Sequence, residues 1–141
     1  FSSTEDYLHF CQMILNKGSY KGKRILSEAS VLEMTTNHVG ELIGPSRGFG
    51  LGFGVLYDTD KDPSPANTGQ IYWGGFFKTH FFIDPTEDLI AIFMTQKILK
   101  IIVLYQEKLI SFVKKGKQGV LEIQQMMENF SMRMIFANPI K

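Results

Sequence analysis

The sequence predicts an α+β fold, an antiparallel β-meander flanked by helices, and three observations carry that expectation. Apolar residues recur at helical spacing within residues 4–36, the period switches to two from Gly48, and turn chemistry separates the later apolar runs. Each element follows from its own residues.

Ser3-Thr4-Glu5-Asp6 offers an N-cap with an acid three residues on, a capping box with Asp in the place of the usual Glu or Gln. Tyr7, Phe10, Cys11, Ile14 and Leu15 then form the apolar stripe of an amphipathic helix, which Asn16-Lys17-Gly18 stops. "YKGKRILS" reads as a turn and connector. Ser27 caps a second helix, Glu28 to about Thr36, expected to bury Val31, Leu32 and the Met34 side.

From Gly48 to Tyr57 the residues Phe49, Leu51, Phe53, Val55 and Tyr57 alternate with Gly48, Gly50, Gly52 and Gly54. This predicts one strand with a large face and a bare face against which another element can pack closely. Residues 58–69, "DTDKDPSPANTG", form an acidic loop. Three strands follow, Gln70–Gly75, Phe77–Ile83 and Leu89–Thr95, the last two joined by the turn Asp84-Pro85-Thr86-Glu87-Asp88. The remainder is helical by pattern. Ile101, Leu104, Tyr105, Lys108 and Phe112 share one side of a first helix, ended by Gly116 and Gly119. Val120, Ile123, Met127, Phe130 and Met134 form a coiled-coil-like seam on a second.

The totals bound the function. With 44% apolar and 21% charged residues the composition is that of one ordinary soluble globular domain, and a net charge of +1 gives no reason to expect nucleic acid as partner. Residues 1–96 are acidic overall and residues 97–141 basic, with 11 of the 13 glycines in the first part and four of the seven methionines in the second. A boundary is therefore expected at Gln96/Lys97. The longest apolar run, Ile98–Tyr105, contains Lys100 and is too short to span a bilayer. A single cysteine, Cys11, precludes an internal disulfide framework. The chain opens on Phe1 with no signal peptide, as though cut from something longer.

Most of the chemical signals have plain readings. Asp58-x-Asp60-x-Asp62 starts like a calcium loop but has Pro63 and Gly69 where that loop needs Gly and Glu, so a solvated acidic loop is expected. Ser111-x-x-Lys114 matches a Ser-x-x-Lys pattern but reads as a helix end beside its dipole. His9-x-Cys11 lacks a second ligand pair, so no metal site and no cofactor are expected. His38 and His80 are read as satisfied or exposed, although the strand position of His80 also lets it face a cleft. The lysines from Lys97 to Lys117 read as a solvated helix face. Trp73-Gly74-Gly75 stands apart. Two glycines interrupt a strongly β-forming stretch between a loop and a hairpin, which costs backbone entropy and suggests that something approaches the strand closely.

At these residues the chain resembles the C-terminal part of the serine β-lactamase-related family: class C β-lactamases, D-alanyl-D-alanine carboxypeptidases and esterases on the same fold. "SSTEDYLHFCQMILNKG" (2–18), "KRILSEASVLEMTTNH" (23–38), "GFGLGFGV" (48–55) and "YWGGFFKTHFFIDPTEDLIAIFMTQ" (72–96) resemble the family's segments in the family's order, over about two-thirds of the chain. The resemblance implies a partial β-lactamase/transpeptidase-like fold. It places Trp73, Gly74 and Gly75 in the third signature box, with the backbone N–H of Phe76 as an oxyanion donor and Phe77 also at the substrate. Lys78-Thr79-His80 is not that box, because His80 replaces its Gly and the box is already occupied by register; Lys78 stands where the family commonly has Gly.

The family's nucleophilic serine and lysine lie upstream in Ser-x-x-Lys, with a Tyr-x-Asn or Tyr-x-Ser between. No Tyr here fits that pattern, and Ser111-x-x-Lys114 comes in the wrong order. The expectation is thus a fragment of an acyl-serine hydrolase, inactive alone, that supplies the substrate strand and oxyanion side to a missing N-terminal half. Its substrate would be a small ester, a β-lactam or a peptide-like amide. A non-catalytic ligand-binding module of the same fold is the alternative, and an interaction piece associating through residues 120–134 is a third. The compartment is left open by the sequence, since the resemblance is compatible with a soluble, periplasmic or secreted location. The tail is either the family's terminal helix or an appended extension.

Overall fold

A computed structural model of the chain describes residues 3–64, 66–76 and 79–94, and the backbone of a strand at 133–137. The first helix, α1 (Thr4–Leu15), starts on the expected capping box. Ser3 Oγ accepts from the Asp6 amide at 3.1 Å and Asp6 Oδ2 accepts from Ser3. It ends where Gly18, at φ +94°, turns its amide to the Met13 carbonyl at 2.8 Å, and a Cβ at Gly18 would overlap the Leu26 carbonyl. The connector is a small hairpin of β1 (Ser19–Tyr20) and β2 (Lys23–Arg24), whose central residues Lys21 and Gly22 both have positive φ. In α2 (Glu28–Thr35), capped by Ser27, Val31 is buried as expected. Leu32 is not: 67% of it is exposed, so the second apolar residue of this short helix stays outside the core.

The glycine-alternating stretch is not one strand. It folds into β3 (Arg47–Phe49) and β4 (Gly54–Leu56), an antiparallel pair closed by residues 50–53. The Gly50 amide donates to the Phe53 carbonyl at 2.8 Å, and Gly52 takes φ +97°. The cause lies outside the stretch. The last turn of α2 presses the Met34 carbonyl against the turn, where it accepts from the Leu51 amide at 3.0 Å and would overlap a Cβ on Gly50. The glycines do admit a close neighbour, but it bends the chain instead of flanking an extended strand. Phe53 and Val55 are buried while Leu51 is exposed on the turn.

The sheet continues through β5 (Ile71–Gly74), β6 (His80–Asp84), β7 (Leu89–Met94) and β8 (Arg133–Ala137), and all six strands are antiparallel to their neighbours in chain order. Register stacks Val55, Ile71, Ile83 and Ile90 across four strands, with Phe81 opposite Ile92 beside them. These residues pack with Cys11, Met13, Ile14 and Val31 into the core beneath the helices. Burying each such side chain contributes about 1.5–3 kcal/mol. Phe82, Ala91 and Phe93, on the opposite face, are buried as well, which explains why these strands read as unbroken apolar runs.

Met134 departs from expectation. It lies in β8, paired through its backbone with Phe93, and not on a helix. Ladder bonds to β7 over a β-forming Met-Ile-Phe run outweigh the end of the helical seam. The rest of the two tail helices lies outside the described residues. No described helix is long and apolar enough to cross a membrane.

The acidic loop is pinned at two points and is not simply solvated. Asp62, whose side chain is 1% exposed, accepts from Arg47 Nε and Nη2, Ser46 Oγ and the Ser64 amide. Asn67 Nδ2 donates to Asp84 at 2.9 Å, and Asp84 in turn accepts from the Thr86 and Glu87 amides to shape the β6–β7 turn.

Candidate active site at the β5–β6 hairpin

The β5–β6 hairpin holds the sequence's most unusual residues. Its register pairs Trp73 with Phe81 and Gly74 with His80, and the Gly75 amide donates to the Thr79 carbonyl at 2.8 Å. The two glycines have a reason within the chain. A Cβ on Gly74 would lie 3.1 Å from the Thr79 carbonyl oxygen and 3.3 Å from His80 Nδ1, and one on Gly75 would overlap Thr79 Oγ1. The returning strand, and not only an external ligand, takes the space the glycines leave.

The hairpin nevertheless borders open space. A cavity of about 250 Å³ runs along it, lined by Tyr7, Trp73, Gly74, Gly75, Thr79 and His80, with Phe81 and Met94 completing the wall. Trp73 is 48% exposed, and its indole is set edge-on against Phe49 with ring centroids 4.9 Å apart. Tyr7 reaches the site from α1 and packs against Phe81 at 5.0 Å. The turn at 50–53 and the end of β5 at Gly74 lie at the same end of the sheet, because β4 and β5 pair Gly54 with Tyr72. The Tyr72 ring occupies the space over Gly54, 2.7 Å from where a Cβ would stand.

The electrostatics of the cavity are those of uncharged groups. Burial pushes the Tyr7 phenol up to about 12, with the nearby Cys11 adding to the shift, so it keeps its proton at neutral pH. Burial also lowers the His80 imidazole to about 4, leaving it neutral. Neither ring makes a side-chain hydrogen bond among the described residues. Cys11, wholly buried and raised to about 12, is inert as a thiolate source. The described lining therefore presents an aromatic wall, a hydroxyl and a phenol, but no activated nucleophile.

Trp73, Gly74 and Gly75 all meet at the cavity. Phe76 sits in the turn with its side chain 82% exposed, and Phe77 lies outside the described residues. His80 is partly buried, and its ring lies beside Tyr72 on the sheet face shared with Phe82 and Phe93, opposite the face of Tyr7 and Trp73. Sequence reasoning missed Tyr7 and Thr79. Tyr7 sat in plain view within "STEDYLHF", and hairpin register would have set Thr79 beside Gly75.

A second cavity, about 340 Å³, lies at the other end of β5 and β6, between Ile14, Leu15, Val31, Leu32, Ile71 and Ile83. Its Thr35 hydroxyl donates to the Val31 carbonyl and its Glu28 pairs with Arg24, so it lacks convergent polar groups of the kind that orient a ligand.

Two capped helices laid on an antiparallel meander, with a glycine-stepped hairpin opening a cavity at one end, define an α+β protein of the β-lactamase-like class. The Beta-lactamase family model matches residues 1–98, and the chain belongs to that family. Protein Rv1367c of Mycobacterium tuberculosis (strain ATCC 25618 / H37Rv) and Uncharacterized protein MT1414 of Mycobacterium tuberculosis (strain CDC 1551 / Oshkosh) are each 33% identical to it over 109 residues. The match covers 68% of this chain and 27% of each relative's length. Among solved structures, EstCE1, a hydrolase with promiscuous acyltransferase activity, aligns with a TM-score of 0.51 and 31% identity over 60% of this chain and 22% of its own.

Proposed function

We propose that this chain supplies the substrate-binding strand and the oxyanion side of an acyl-serine hydrolase, with small uncharged esters as its preferred substrates. The carrying observation is the cavity beside Trp73, Gly74 and Gly75. An acyl group laid along this edge would have the indole as an apolar wall. Its carbonyl would be held by the backbone N–H of Phe76, with Phe77 beside it, so that negative charge developing on the oxygen meets a fixed dipole. Family membership and the likeness to EstCE1 support the class. The nucleophile is expected from a Ser-x-x-Lys helix that residues 1–98 do not contain. Residues 1–96 would form the hydrolase unit, and residues 97–141 a tail that also carries β8.

The test is reconstitution. The chain is mixed with a separately produced segment of the family fold bearing Ser-x-x-Lys and Tyr-x-Asn, and p-nitrophenyl acetate turnover is followed. Turnover that needs both pieces and is lost on Gly75→Val supports the proposal; a folded, soluble mixture without turnover refutes it.

One observation favours a second reading, a non-catalytic module that binds an acylated or peptide ligand. The described cavity residues combine hydrogen-bonding groups with no activated nucleophile. Calorimetry with D-alanyl peptides and esters separates the two readings, since a binding module takes up ligand and no added segment makes it turn over.

A further inference from the structure

The floor of the cavity carries a hydroxyl that the described chain does not use. Trp73 pairs with Phe81 and the Gly75 amide bonds the Thr79 carbonyl, so strand alternation puts Trp73, Gly75, Thr79 and Phe81 on one face of the hairpin. On that face α1 sets Tyr7 beside Phe81, with ring centroids 5.0 Å apart. His80 pairs with Phe93, which brings Thr79 level with Met94. Gly75 offers only bare backbone there, and Thr79 Oγ1 takes the space that a Cβ on Gly75 would need. A β-branched side chain has few rotamers open to it, so this oxygen is held in place. Thr79 is partly exposed, lines the cavity, and its hydroxyl bonds no described residue. Other threonines differ: Thr35 and Thr36 donate to carbonyls of α2, and Thr59 and Thr68 bond each other.

We propose that Thr79 is a specificity-determining residue of this site, its hydroxyl donating a hydrogen bond to the carbonyl oxygen of an ester laid over Gly75. This rests on the reading of the cavity as an acyl-docking site, and adds a side-chain donor to the backbone N–H of Phe76. Three features favour it. Gly75 keeps the approach to Oγ1 clear, since any larger residue there would displace the hydroxyl. The same face is otherwise apolar, with Trp73, Phe81, Met94 and the ring of Tyr7 ready to take the hydrocarbon part of an ester. A carbonyl stripped of water against such a wall is costly unless a donor meets it, and the Thr79 hydroxyl is an uncharged donor on that floor.

Trp73 is the chain's only tryptophan and lines the cavity, so its emission reports occupancy. The full chain is titrated with ethyl butyrate and, separately, with butyl ethyl ether, which has the same length but no carbonyl, and the Thr79 methyl resonance is followed by NMR. The ester is expected to change Trp73 emission, to shift the Thr79 methyl and to bind about tenfold more tightly than the ether, the scale of one good hydrogen bond. Thr79→Val, which keeps the branched shape and removes the hydroxyl, is expected to weaken the ester alone and bring the two affinities together. Thr79→Ser should keep most of the difference, and so should Tyr7→Phe, which removes the other hydroxyl of the lining. If Thr79→Val keeps the ester preference, or the Thr79 methyl stays put in the unaltered chain, the assignment to Thr79 fails while the docking site stands. Equal affinity of the unaltered chain for ester and ether overturns it too. If neither probe alters Trp73 emission, the docking reading fails and takes this inference with it.

Discussion

Replacing Asp62 with Asn tests how the loop at 58–69 is held. The carboxylate accepts four hydrogen bonds: from Arg47 Nε at 2.6 Å and Nη2 at 3.0 Å, from Ser46 Oγ at 3.1 Å, and from the Ser64 amide at 2.9 Å. An Asn keeps one oxygen, and its amide nitrogen meets the guanidinium as donor against donor. Removing one partner of a fully buried pair costs about 3–5 kcal/mol. Arg47 is 43% exposed and regains water, so the expectation is about 2–3 kcal/mol. For a chain of this size that lowers Tm by roughly 6–12 °C. The Arg47 hydrogen bonds hold the Asp62 carboxyl well below the usual carboxylate range. Its contribution is therefore complete above the unfolded value of about 4 and fades as pH falls below it. Urea unfolding of both proteins, followed by far-UV circular dichroism from pH 7 to pH 2.5, reads both quantities. A difference below about 0.5 kcal/mol at pH 7, or one that does not shrink in acid, refutes this account.

Four further outcomes follow from the same geometry. The His80 imidazole is lowered to about 4, so the unfolded chain binds the extra proton between about pH 6.5 and 4. Stability should decline across that window, and His80→Phe should flatten the decline when unfolding is measured at pH 7 and 4.5. Gly50→Ala drives a methyl into the Met34 carbonyl and should cost about 1–3 kcal/mol, whereas Gly22→Ala, which meets no atom, should cost only the strain of its positive φ; thermal melts compare them. Ile90→Ala should cost about 2–5 kcal/mol in the same assay, since the side chain is fully buried. Cys11 should resist a thiol reagent in the native chain and react promptly in denaturant, monitored by absorbance.

Local hydrogen bonding made much of the fold legible. The Ser3–Asp6 box, the Ser27 cap, the Gly18 stop and the Asp84 turn each satisfy backbone groups within a few residues, so sequence alone locates them. The hairpin at residues 47–56 was hidden because its cause is remote. The Met34 carbonyl that seats Gly50 belongs to another element, and alternating glycines suit a turn as readily as a bare face. Asp62 looked solvated for the same reason, since Arg47 lies fifteen residues away. At the site, Trp73, Gly74 and Gly75 stood out by composition, whereas Thr79 needed the register of the turn and Tyr7 needed the docking of a helix. A periodic seam carries no information about a free ladder edge on β7, so the strand position of Met134 is not legible in the sequence.

The end of β5, at Gly74, Gly75 and Phe76, leaves the sheet beside the cavity, while the isoleucine stack and both helix caps anchor elsewhere. Selection can therefore change a side chain such as Phe76, which is 82% exposed, and so retune what the cavity admits at little cost to the fold, whereas the 50–53 turn, gripped by the Met34 carbonyl and carrying buried Phe53, has no such freedom. Such a division of labour along a strand lets a lineage explore new chemistry at little risk to its architecture.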